Sequence, residues 1–222
     1  MELAGPGDEV QLKDGIYADQ LASVRNGEEG NPITITGGEG AIIKSSTSPA
    51  VLITHSHVHL QGFSVDGFHG FGDSVDSWVH QCIWVDGEEE NGDITPIEGF
   101  KMQDMLIQNC GSECVRLKNF VTGAIISNSI IQDCGIYYFK FGEGEKSGEG
   151  VYIGTPDNEW TYGEDVCDLN YVSSNTFITN GNECVDIKEG STKNVVERNM
   201  CSYQLDEDSG CFSFRGDANT FR

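Results

Sequence analysis

The chain of 222 residues carries 13 Lys or Arg against 36 Asp or Glu, a formal net charge of −23. That balance excludes a nucleic-acid binder, which needs a basic face, and opposes non-specific attraction to acidic membranes or polymers. No apolar run approaches the roughly 18 residues of a membrane helix, so no membrane span is expected, while abundant carboxylates suit calcium, a hard cation that takes oxygen ligands.

From the N-terminus onward, short alternating runs follow one another: Ile33-Thr34-Ile35-Thr36, Val58-His59-Leu60-Gln61, Val115-Arg116-Leu117-Lys118, Val185-Asp186-Ile187-Lys188 and Phe212-Ser213-Phe214-Arg215. Each is bounded by Gly, Asn, Asp or Ser and reads as a strand; helical periodicity is almost absent. The 28 Gly against 5 Pro, interleaved with branched apolar residues, indicate tight turns rather than a disordered linker. His55-Ser56-His57-Val58-His59 puts alternate His on one strand face, a pattern open to a metal but read here as polar residues of an exposed face.

Alignment of the runs decides between a sandwich and a solenoid. Glu113-Cys114-Val115-Arg116-Leu117-Lys118 matches Glu149-Gly150-Val151-Tyr152-Ile153-Gly154 and Glu183-Cys184-Val185-Asp186-Ile187-Lys188, and more loosely Gly210 to Arg215. A second unit precedes each: Met105 to Cys110, Ser129 to Cys134 and Thr176 to Gly181. Periods in the twenties and thirties with period-two alternation inside each unit predict an all-β, right-handed parallel β-helix, one domain over residues 1–222. Val115, Leu117, Val151, Ile153, Val185, Ile187, Phe212 and Phe214 are its inward columns. Arg116, Lys118, Tyr152, Asp186, Lys188, Ser213 and Arg215 point outward from one sheet. Asn109, Asn128, Asn175, Asn199 and Asn219 recur beside strands, where Asn adopts left-handed turns or ladders with its neighbours. Residues 139–147 and 156–164 read as inserted loops, and 86–96 and 204–209 as acidic ones. Asn219-Thr220-Phe221-Arg222 reads as the start of another coil, so the segment is expected to belong to a longer protein or to meet a partner there.

The 8 Cys form no zinc pattern. An even count without such a pattern predicts disulfides, an oxidising compartment and a secreted, extracellular protein, although the N-terminus shows no signal segment. Column alignment across coils predicts Cys82–Cys114, Cys110–Cys134 and Cys184–Cys211, because neighbouring strands lie about 4.8 Å apart. Cys167–Cys201 follows by elimination.

Pro6 to Tyr17, Asn31-Pro32-Ile33-Thr34-Ile35 and Val58 to Phe63 together resemble the opening coils of secreted parallel β-helix proteins of the pectate-lyase-like superfamily. Glu183 to Ser191, followed by Asn194 to Asn199, is similar to a coil of that superfamily and, more distantly, of the alginate lyase and chondroitinase B group. The resemblance implies a lysine base, an assisting arginine on the next coil and calcium held by carboxylates. By position these are Lys188, Arg215 and Glu183. Three positions depart from the group's pattern: Glu189 follows the lysine in place of Ser, Gly216 follows the arginine in place of His, and Gly181 stands where a second carboxylate is found.

β-Elimination from a uronic acid requires a neutralised carboxylate, a base at the adjacent carbon and support for the enolate. Lys188 and Arg215 would supply the base and a cation that makes its amine form accessible. Glu149, one coil from Glu183 at the same repeat position, joins it as a candidate calcium ligand. Tyr152 and Trp160 are candidates to stack on sugar rings, and Arg116 and Lys118 to contact an acidic substrate. The leading function is a polysaccharide lyase cleaving an acidic glycan of a cell wall or extracellular matrix. The alternative is a non-catalytic structural, adhesive or glycan-binding β-helix that joins other chains in an extracellular assembly. Pairing of Lys188 with Asp186 would favour that alternative.

Overall fold

The computed structural model describes residues 3–90, 93–161 and 163–222. Three parallel sheets of eight, seven and seven strands run the length of the chain, and each coil visits them in turn. The stack is the expected right-handed β-helix, the hand that parallel crossovers adopt almost without exception. The third sheet carries the outward residues of interest. Its strands are Leu21–Ala22, Val51–Ile53, Ile83–Asp86, Val115–Lys118, Val151–Ile153, Val185–Ile187 and Phe212–Phe214.

Register in this sheet follows the repeat. Ile83, Val115, Val151 and Val185 stack in one column and Val85, Leu117, Ile153 and Ile187 in another. All eight are 0% exposed. Burying such a side chain contributes roughly 1.5–3 kcal/mol, and a one-residue slip would turn every column outward. The alternate positions give the outward column Trp84, Arg116, Tyr152, Asp186, Ser213.

The Asn residues divide by role. Asn109 and Asn128 sit at left-handed backbone angles with φ of 59° and 53°. Asn175 and Asn199 instead ladder, with Asn175 Nδ2 donating to Asn199 Oδ1 at 3.1 Å and the Asn175 backbone N–H to the same oxygen at 2.9 Å. Asn194 and Asn219 repeat that contact at a second corner.

Two expected loops carry structure. The insertion after Cys134 opens with a short helix, Ile136–Phe141, closed at both ends by left-handed Gly135 and Gly142. Within residues 86–96, Glu88–Glu90 and Asp93–Thr95 form an antiparallel hairpin.

The disulfide pairing differs from the expected one throughout. The bonds are Cys82–Cys110, Cys114–Cys134 and Cys184–Cys201, with Cα separations of 5.5, 5.5 and 5.9 Å. Cys167 and Cys211 are free, so Cys82–Cys114, Cys110–Cys134, Cys184–Cys211 and Cys167–Cys201 are all absent. Column membership does follow the repeat: Cys82, Cys114, Cys184 and Cys211 each precede a third-sheet strand. Side chains in one column run parallel at the strand spacing, wider than the roughly 3.8 Å between Cβ atoms that a disulfide prefers. Each bonded Cys of this column instead reaches around the corner to one at or beyond a second-sheet strand of the next coil.

Candidate active site

Three columns converge at the third sheet. Two places before the strands that begin at Ile83, Val115, Val151 and Val185 stand Gln81, Glu113, Glu149 and Glu183, an amide followed by a ladder of three acids. Within the strands run Arg116, Tyr152 and Asp186. Lys188 follows Ile187, and Arg215 follows Phe214 one strand along, its backbone N–H donating to the Ile187 carbonyl at 2.9 Å. Lys188 and Arg215 therefore stand on neighbouring strands, as expected from alternation.

Outward does not mean exposed here. Lys188 is 6% exposed and Asp186 1%, and Lys188 Nζ is ion-paired to Asp186 Oδ2. Arg215 Nη2 lies 3.8 Å from the same Asp186 oxygen and its Nη1 3.5 Å from Glu189 Oε1. Burial opposes the Arg215 charge, yet Asp186 and Glu189 outweigh it and hold the guanidinium above its ordinary pKa. Lys188 Nζ also sits 4.4 Å from the centre of the Tyr152 ring, and Arg116 Cζ 3.9 Å from it. Burial, then the surrounding carboxylates, push the Tyr152 phenol well up against the opposing pull of Arg116, so it keeps its proton.

Arg116 is buried and committed, with Nη1 bonded to Glu113 Oε1 at 2.5 Å. Glu113 also accepts from Ser112 Oγ at 2.7 Å and Gln81 Nε2 at 3.1 Å. Burial raises its carboxyl, but Arg116 and these donors prevail and leave its pKa lowered. Glu149, one coil on, goes the other way. Burial and then the Glu113 charge raise it, despite bonds from Gly148 N at 3.0 Å and Asn182 Nδ2 at 3.1 Å.

Glu149, Glu183 and Asp186 form a cluster in which one oxygen of each lies within 4.8 Å of the others, and all three are buried. Asp186 Oδ1 and the nearby Asn182 Oδ1 are buried without a hydrogen-bond partner. An all-oxygen set with unpartnered acceptors fits a hard divalent cation such as calcium. Asp186 is both a cluster member and the partner of Lys188, a link that the repeat alignment did not disclose. Glu113 was legible as a further rung of the ladder; Asn182 had no sequence signal.

Geometry also accounts for two departures from the lyase pattern. A Cβ at Gly181 would lie 2.6 Å from the carbonyl oxygens of Cys134 and Gly148, so no carboxylate can stand there. Glu149 from the preceding coil lies in the carboxylate cluster with Glu183. A Cβ at Gly216 would lie 1.9 Å from the Ser191 carbonyl, which excludes His at that position.

Trp160 and Lys118 fall outside the cluster. Trp160 Nε1 donates to the Thr155 carbonyl at 2.9 Å, and its ring lines a small pocket with Lys118 and Asp165. The His run builds no metal cluster among the described residues. His55 Nδ1 contacts Ser23 Oγ at 2.8 Å, and burial followed by Lys101 lowers His59 to about 4.

No protein-family model and no curated protein matches the chain. Among solved structures it is similar to an alginate lyase from Paenibacillus sp. str. FPU-7, with a TM-score of 0.75 and 20% identity over 99% of this chain and 71% of that one. It is also similar to a mannuronic acid specific polysaccharide family 6 lyase from human gut microbiota, with a TM-score of 0.55 and 18% identity over 89% of this chain and 49% of that one. A mutant DFA-IIIase from Arthrobacter chlorophenolicus matches with a TM-score of 0.53 and 14% identity over 97% of this chain and 58% of that one. At such identities the likeness is one of fold, and a fold hosts several chemistries. The chain thus shares with these solved structures a parallel β-helix fold.

Proposed function

We propose that the protein is a secreted polysaccharide lyase that cleaves an acidic glycan by β-elimination, with Lys188 as the base. The observation that carries this reading is the shared residue Asp186, which joins the lysine to the carboxylate cluster. An ammonium has no lone pair with which to accept a proton, so Lys188 acts as a base only when the charge of Asp186 is engaged elsewhere. Calcium held by Glu149, Glu183 and Asp186 would neutralise a uronate carboxylate, support the enolate and weaken the hold of Asp186 on Lys188. Lys188 Nζ would then accept the proton from the carbon beside the carboxylate, the released electron pair would form the carbon–carbon double bond as the glycosidic carbon–oxygen bond breaks, and the Lys188 ammonium or water would return a proton to the leaving oxygen. Arg215, about one strand spacing away and 44% exposed along its side chain, meets the developing negative charge. Three disulfides support the extracellular setting.

A second reading, a non-catalytic glycan-binding or structural β-helix, is favoured by the buried Lys188–Asp186 pair and the net charge of −23. Ultraviolet absorbance of unsaturated product separates the two. On a panel of alginate, pectate and glycosaminoglycans with calcium, the lyase reading expects absorbance to rise on at least one polymer and to be lost on chelation and in Arg215→Ala. No rise on any polymer, with the protein folded, would leave the second reading standing.

A further inference from the structure

Beside the buried cluster lies an open groove of about 420 Å³, and its floor is the N-terminal continuation of the same outward column. Trp84 stands in register with Arg116, and Lys118 with Asp86 on the strand before it. The groove is lined by Trp84, Lys118, His80, Tyr137, Glu145 and Glu159. Its size falls in the range of small-ligand sites, and its lining combines ring faces with a few convergent polar groups, the composition of such sites.

Three features point to a ligand with an anionic group. Lys118 Nζ sits 5.8 Å over the Trp84 ring, and among the described residues Lys118 forms no ion pair. Arg116, nine-tenths buried in the groove floor, has an Nε without a hydrogen-bond partner. His80 and Tyr137, with ring centres 5.4 Å apart, form an aromatic wall beside these two cations. Glu145 and Glu159, which also line the groove, are acceptors suited to hydroxyls.

We infer that this groove is a second glycan subsite, in which Trp84 stacks on a hexuronate ring and Lys118 meets its carboxylate, two strands N-terminal of Lys188. The assignment rests on the lyase reading for its direction along the chain, but binding at the groove stands without turnover. Val115 pairs with Val151 and Val151 with Val185, so Lys118 and Lys188 are two strand spacings apart, about 10 Å. A hexuronate unit of a linear glycan is comparable in length to one strand spacing, which is about 4.8 Å. A bound glycan therefore runs parallel to the solenoid axis, and only chains reaching at least two units past Lys188 engage Lys118.

The test is the dependence of affinity on oligosaccharide length, followed by tryptophan fluorescence and by calorimetry with uronate dimers to hexamers in protein inactivated by chelation. Affinity should rise steeply once the chain spans both positions. Lys118→Gln should remove about two- to fivefold of that gain, as loss of one solvent-facing charged contact does. Trp84→Leu should do likewise and should abolish the fluorescence change. Circular dichroism of both variants confirms an intact fold. Equal length dependence in wild type and both variants, or equal binding of neutral hexasaccharides, would overturn the subsite. If binding behaves as expected while no unsaturated product forms with calcium, the subsite stands and the lyase reading fails. Product formation with length dependence unaltered in both variants removes the subsite and leaves the lyase reading standing.

Discussion

Lys188 and Asp186 form an ion pair on the outward face of one strand, and both are buried. Alternation alone suggests that Lys188 can be removed without harm, since no core volume is lost. Burial changes that expectation. Lys188→Ala leaves Asp186 in a low-dielectric site with only Arg215 at 3.8 Å, and breaking a buried pair from one side costs about 3–5 kcal/mol. Urea unfolding of Lys188→Ala, Asp186→Ala and the double variant should give an interaction energy of about 1–3 kcal/mol. Additive losses would show that the pair contributes no coupling. Loss of activity in Lys188→Ala is therefore interpretable only at a temperature where that variant is folded.

Glu149 and Glu113, adjacent rungs of the acid ladder, should titrate with opposite effects on stability. Glu149 is raised above its ordinary 4.5 by burial and by Glu113. The folded state thus holds its proton more tightly than the unfolded one. Its contribution is fully present below pH 4.5 and is lost as pH rises through the folded value. Glu149→Gln should flatten this decline. Burial raises Glu113 as well, but Arg116 and its hydrogen-bond donors prevail, and its folded pKa is lowered. Its contribution is present above 4.5 and lost as pH falls through the folded value. Glu113→Gln should therefore destabilise most at neutral pH, where Arg116 is left unpaired. Chemical denaturation from about pH 3.5 to 8 checks both slopes.

Calcium should stabilise the folded chain through Glu149, Glu183 and Asp186. At one hundred times the dissociation constant the gain is about 2.7 kcal/mol, visible as a rise in melting temperature reversed by chelator. Since Glu149 must release its proton to ligate, affinity should strengthen as pH rises through its raised pKa. Glu183→Gln and Asp186→Asn should each abolish the thermal shift. A shift retained in both variants would place the cation elsewhere.

The inward columns were legible because each coil repeats Val, Ile or Leu at fixed offsets, and burial on one face enforces that register. The neighbouring positions of Lys188 and Arg215, and the Glu149–Glu183 rung, follow from the same repeat. What the repeat does not encode is lateral reach. The outward positions of Arg116, Tyr152, Asp186 and Lys188 suggest solvent exposure, yet these side chains stack along the column and bury one another. Arg116, expected to meet substrate as an exposed cation, is buried and bonded to Glu113 through Nη1, which leaves its Nε without a partner. Position in a column likewise says which cysteines stack, not which meet around a corner.

Cysteine chemistry gives the sharpest check on that geometry. Proteolysis without reduction should yield peptides linking Cys82 to Cys110, Cys114 to Cys134 and Cys184 to Cys201. Cys211 is exposed and should react with an alkylating reagent in the native protein, whereas buried Cys167 should react only after unfolding. Burial, reinforced by Asp165, pushes the Cys167 thiol well up, so little thiolate forms even where reagent penetrates. Its sulfur is also engaged, donating to Asp165 Oδ1 at 3.4 Å and accepting from the Val121 N–H at 3.4 Å. Cys82→Ser should lose about 2–5 kcal/mol by releasing a cross-link in the unfolded chain. Cys167→Ser should lose less, because a hydroxyl can keep both contacts. A peptide joining Cys184 to Cys211, which the Val185–Phe212 register places side by side, would show that sulfurs of one column do meet across the strand spacing, and native labelling of Cys167 would show that its site opens in the folded protein.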